Sequence, residues 1–80
     1  MYYVYLIKSI SDPDKSYVGF SMDLKERLRK HNKGGSKHTM NYIPWRLVVF
    51  MAFADKGKAL NFEKYLKSHA GRAFAKKRLW

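Results

Sequence analysis

The sequence predicts an α+β domain: a three-stranded antiparallel sheet flanked by helices, in the order β-β-α-β-α, with a short helix closing the chain. Three observations predict it. Two aromatic and β-branched stretches near the start are joined by a cluster of turn formers. A third, nearly continuous apolar stretch lies in the middle. Two amphipathic stretches, each opened by an aspartate, separate and follow it. With 80 residues there is room for one domain, 1–80.

Tyr2-Tyr3-Val4-Tyr5-Leu6-Ile7 is a strong strand signal. Ser11-Asp12-Pro13-Asp14 supplies turn chemistry, and Ser16-Tyr17-Val18-Gly19-Phe20 reads as the returning strand of a hairpin. A tight turn around Ser11 would set Tyr5 opposite Tyr17, with paired positions summing to 22. Asp23, with Glu26 three residues on, opens a helix over about 23–32. Gly34-Gly35 provides its left-handed exit. Residues 33–45 form a loop. Trp45 to Phe53 is the third strand, and its unbroken apolar run predicts burial on both faces and a central place in the sheet. Asp55 caps a second helix over about 56–68, Gly71 breaks it, and a basic helix over about 72–78 ends the chain.

Composition narrows the chemistry. The chain is 46% hydrophobic, too much for a disordered tail, and so short that it buries only about 60% of its unfolded surface. It has no cysteine, which excludes disulfides, thiolate zinc sites, iron–sulfur clusters and thiol nucleophiles. The run Leu47 to Ala54 is too short to span a bilayer, and no signal-peptide pattern opens the chain. A cytoplasmic monomer is expected, with no membrane partner. The net charge of +11 points to a polyanion, DNA first and RNA second. Lys25, Lys30, Lys37, Lys67, Arg72, Lys76, Lys77 and Arg78 are the candidate phosphate contacts. Tyr42, Trp45 and Trp80 could stack on bases, although Trp45 at a strand start is more often core.

Several polar residues fall on faces that should be buried. Arg27 and His31, four apart, lie on or beside the Leu24/Leu28 stripe of the first helix. Glu63 shares the inward side of the second helix with Ala59, Phe62 and Leu66. A buried charge costs several kcal/mol unless paired. A plain ion pair between Arg27 and Glu63, or a helix-end role for His31, would account for each alone. Together with Tyr5 and Tyr17 they could converge on one sheet face.

Tyr3-Val4-Tyr5 and Tyr17-Val18-Gly19, a short hairpin apart, resemble the paired motifs of the GIY-YIG nuclease superfamily. The stretch Ser21 to Leu28 resembles its first helix with a catalytic arginine, and Asn61 to Lys67 its metal-binding glutamate. The short length resembles stand-alone bacterial members. The resemblance implies a one-metal phosphodiester hydrolysis, with Mg²⁺ or Mn²⁺. Carried over by position, Tyr5, Tyr17, Arg27 and His31 are the catalytic candidates and Glu63 the metal ligand. Three departures stand out: Tyr3 and Val4 replace the first motif's Gly and Ile, Phe20 stands where some members carry Lys, and no Asn follows Glu63.

The acid count agrees with one metal. Of six carboxylates, Asp12 and Asp14 sit in a turn, Asp23, Glu26 and Asp55 serve helix starts, and Glu63 alone points inward. One carboxylate with waters and a substrate phosphate suffices for Mg²⁺. Arg27 can clamp a phosphate through two donors. A tyrosine base needs its pKa lowered, and nearby cations would do that. No serine elbow appears, His31, His38 and His69 lack zinc spacing, and Gly34-Gly35 is too short for a nucleotide loop. The leading expectation is therefore a DNA endonuclease of repair or recombination type. The alternatives are a non-catalytic nucleic-acid-binding domain of the same fold and, further off, an adaptor for an acidic protein.

Overall fold

The computed structural model describes all residues, 1–80. Strands β1 (Tyr2–Ser9), β2 (Ser16–Ser21) and β3 (Trp45–Phe53) form one antiparallel sheet in the order β2-β1-β3. Helices α1 (Leu24–Asn32), α2 (Lys56–Leu66) and α3 (His69–Arg78) complete it. No helix is long and apolar enough to cross a membrane.

The central strand is β1, not β3. The reason lies in which strand buries both faces. Val4 and Leu6 pack on one side with Ala59, Leu66 and Ala75 of α2 and α3. Tyr5 and Ile7 pack on the other with Trp45 and with Leu24 and Leu28 of α1. β3 is an edge strand, and its Phe50 is 46% exposed. Its unbroken apolar run has another cause. Leu6 pairs with Val49 and Ile7 with Leu47, leaving Val48 extra. This bulge lets Leu47 and Val49, two apart, face opposite sides.

The hairpin register also differs from expectation. Tyr5 pairs with Gly19 and Ile7 with Tyr17, so paired positions sum to 24. A Cβ on Gly19 would collide with the Cζ and hydroxyl of Tyr5, so only glycine leaves room for the phenol beside β2. The connection is longer than a tight turn. Buried Ser9 anchors it by donating to the Tyr42 carbonyl at 2.7 Å and accepting from the Asp12 amide at 3.0 Å.

The caps follow the sequence. Asp23 accepts from the Glu26 amide, and Asp55 from the Lys58 amide. Gly34, at φ +77°, makes the left-handed exit after α1. Gly71 does not break α2. Helix α2 ends at Leu66, Ser68 caps α3 by accepting from the Gly71 amide, and Gly71 lies in the first turn of α3. There a Cβ would collide with the Tyr65 carbonyl, so the glycine serves close helix–helix approach.

Candidate active site

Tyr5, on the middle of β1, is 1% exposed. Its hydroxyl lies 2.7 Å from His31 Nε2. His31, near the end of α1 and also 1% exposed, lies inside the protein. Its Nδ1 lies 2.7 Å from Thr39 Oγ1. Thr39 is buried, and its carbonyl accepts from Trp45 Nε1 at 2.9 Å. A continuous polar chain thus runs from a loop threonine through an imidazole to a strand tyrosine, and no buried side-chain donor or acceptor is left unpaired. Trp45 is core and unavailable for stacking on bases.

Tyr17 packs around the same imidazole. Its ring centroid is 5.4 Å from that of His31 and 6.4 Å from that of Tyr5. His38 stacks on Tyr17 at 6.4 Å, and the Lys67 ammonium sits over its ring at 5.4 Å. Tyr17 is half-buried, so of the two phenols it is the one open to solvent.

Burial drives the Tyr5 pKa well above its usual value, with the Tyr17 and Glu63 charges adding to the rise and Arg27 opposing it. The expectation that cations would lower it fails for Tyr5, because desolvation outweighs one guanidinium. Burial also lowers the pKa of His31, helped by the positive charges of Arg27 and Lys30. At neutral pH both are uncharged, and one imidazole nitrogen keeps a free lone pair.

Arg27 and Glu63 arrive from opposite faces of the sheet. α1 covers the Tyr5 face and α2 the Val4 face, so the expected single face does not exist. The two charges nevertheless both act on the Tyr5 phenol. The two do not form the helix-bridging ion pair. The ion pairs are Arg29–Glu26 at 2.8 Å and Lys67–Glu63 at 3.1 Å. Half-buried Arg27 therefore has no carboxylate partner. Glu63, 20% exposed, holds the Lys67 ammonium where a cation would sit. No three His, Cys, Asp or Glu side chains gather as a metal cage. A single carboxylate oxygen donor fits a hard, largely hydrated ion and no other common kind.

A family model described as the GIY-YIG catalytic domain matches residues 1–78. The chain belongs to the GIY-YIG family. A UPF0213 protein of Lacticaseibacillus paracasei is 40% identical over 67 residues, which is 82% of this chain and 73% of that protein. The structure-specific endonuclease subunit SLX1 homolog of Giardia intestinalis is 38% identical over 65 residues, 76% of this chain. This chain spans only 18% of that relative's length. The solution NMR structure of the UPF0213 protein BH0048 from Bacillus halodurans has a TM-score of 0.57 at 32% identity, over 96% of this chain and 84% of that one. Within the GIY-YIG fold, the departure at Phe20 falls outside the tyrosine cluster. Phe20 stacks on Tyr2 at 6.4 Å and packs on the α2/α3 face, opposite Tyr17. It is half-buried and packs against the core here.

Of the candidate phosphate contacts, Lys67, Arg72 and Lys76 line one groove with Tyr17. Lys25, Lys30, Lys37, Lys77 and Arg78 are exposed elsewhere. Sequence reading missed Thr39. A threonine in a Lys/His-rich loop carries no signal of burial until the fold sets it against His31.

Proposed function

We propose that the protein is a divalent-metal-dependent DNA endonuclease in which Arg27 and Glu63 bracket the scissile phosphodiester beside Tyr5 and Tyr17. The observation that carries the reading is Arg27. A half-buried guanidinium with no carboxylate partner, beside a phenol and across from a carboxylate, has the free donors that a phosphate needs. The SLX1 relatives, named structure-specific endonucleases, support DNA as substrate.

In this reading Glu63 holds Mg²⁺ or Mn²⁺ with water completing the shell. The bound ion supplies Lewis-acid stabilisation of the leaving oxygen. Arg27 neutralises charge growing on the phosphate. Tyr17 meets the incoming strand. Neutral His31 keeps Nε2 able to receive a proton from Tyr5 at 2.7 Å. Tyr5, held protonated by burial, accepts the proton of the attacking water only as it passes its own to His31.

The test is incubation with branched, nicked and linear DNA and RNA in Mg²⁺ or Mn²⁺. Cleavage is expected, and it should disappear in EDTA and in Glu63→Gln while binding survives. Arg27→Ala and Arg27→Lys should each cut about 100- to 1,000-fold more slowly, because lysine keeps the charge but not the paired donors. Tight binding without cleavage of any substrate would replace this reading by the non-catalytic nucleic-acid-binding one.

A further inference from the structure

A groove of about 550 Å³ runs from Tyr17 between the start of β2 and α3. Its cations are Lys67, Arg72 and Lys76, and it contains no acid. Arg72 and Lys76 are one helical turn apart, so they present their charges side by side. Between the cations lies an apolar lining of Val18, Leu66, Ala75 and Trp80. The second groove of the protein, beside α1, is different: Tyr3, Met22, Leu24, Leu28 and Phe50 line it with one acid and one lysine.

We propose that the cationic groove binds a single nucleic-acid strand with unpaired bases, leading into or away from the Tyr17 end. The inference rests on the nuclease reading only for that direction. Cations alone would suit any phosphate backbone. The apolar lining decides between strands. A duplex shows its outer surface as phosphate and sugar, with the bases stacked inside. An unpaired strand brings base and sugar faces that apolar side chains can cover while lysine and arginine take the phosphates. Continuity with the catalytic cluster is direct, since Lys67 both lines the groove and touches Glu63 and the Tyr17 ring.

The test compares two double variants with equal charge loss, one in the groove and one away from it. Arg72→Gln/Lys76→Gln removes groove cations. Lys56→Gln/Lys58→Gln removes exposed cations at the start of α2, outside it. Binding of a fluorescein-labelled oligothymidine and of a blunt duplex of equal length is read by anisotropy in EDTA, from 50 to 300 mM salt. Thermal melts establish that both variants fold. Loss of two phosphate contacts should reduce the single-strand salt slope by about 1.4 and weaken binding at 100 mM salt roughly 20-fold. The second pair should change both little, and the duplex should lose less than the single strand in the groove variant. Equal losses in the two pairs, a loss confined to the duplex, or no single-strand binding by the wild type would overturn the proposal. Cleavage assays separate the two readings. A groove that binds as described in a protein that cuts nothing fails the nuclease reading alone. Cleavage without a difference between the pairs fails the groove alone.

Discussion

On one face of β1, Val4 and Leu6 meet Ala59, Leu66 and Ala75 in a buried aliphatic cluster. On the other face Tyr5 meets His31, which meets Thr39. The same eight-residue strand serves both. The apolar face gains from area and packing, contributions that are non-directional and graded. The polar face depends on each bond being made, since a buried group left unpaired costs more than its bond contributes. The difference separates stability from chemistry. The apolar side fixes where the strand lies, and the polar side links three side chains through one imidazole, on a phenol whose charge Arg27 and Glu63 influence in opposite senses.

The largest effect expected from breaking one side alone is on the apolar face. Leu6→Ala removes a fully buried side chain and should cost about 2–5 kcal/mol. For a domain of this size that is a fall in Tm of roughly 10–30 °C, measurable by thermal circular dichroism. The folded fraction should keep the wild-type pH profile of cleavage. A shifted profile in folded Leu6→Ala would mean that the two faces are not separable.

A smaller loss of stability with a change of chemistry is expected from the polar face. Thr39→Val keeps the shape and removes the hydroxyl, leaving His31 Nδ1 without its partner at 2.7 Å. The cost should be about 1–3 kcal/mol, and Thr39→Ser should restore most of it. The decisive readout is the tautomer of His31, seen in its imidazole nitrogen shifts by NMR. Valine should alter the proton distribution between Nδ1 and Nε2, and serine should not. If neither variant moves those shifts, Thr39 merely fills space and the chain from Thr39 to Tyr5 is not a unit.

Much of this was legible in the sequence, for local reasons. The aspartate caps, the Gly34 exit and the bounds of β3 depend on residues a few positions apart. Tyr5, Tyr17, Arg27 and Glu63 stood out as candidates because the motifs they resemble have a fixed spacing, and their roles belong to the proposal. The register was not. It turns on the Tyr5 ring occupying the space above Gly19, a contact between strands that no local pattern encodes. The position of β3 was misread because a bulge at Val48 makes an edge strand look continuously apolar. Thr39 and the groove were not legible either. The first is defined by a partner on another element, and the second by where α3 docks against β2.

The smallest effect is a pH dependence that should belong to the polar face alone. His31 is held neutral in the fold, with a pKa below its ordinary value because of burial, Arg27 and Lys30. In the unfolded chain it protonates near pH 6.5. Between those two values the unfolded state binds more protons, so stability rises with pH there. The contribution of His31 is therefore fully present above about pH 6.5 and is lost as pH falls through the folded value. Tyr5 sets the other limit. Its folded pKa is raised by burial, so its contribution is full below about pH 10 and is lost as pH climbs above that. The polar face should thus be strongest between these limits. Thermal melts of the wild type and of His31→Gln at pH 5 and 7.5 isolate the acid limit, because titrations common to both proteins cancel in the difference. The wild type's advantage over His31→Gln should narrow at pH 5, whereas its advantage over Leu6→Ala should stay level. A gap for His31→Gln that is the same at both pH values would show that the imidazole is not held neutral. The proposed relay from Tyr5 would then lose its acceptor, even if the fold is as described.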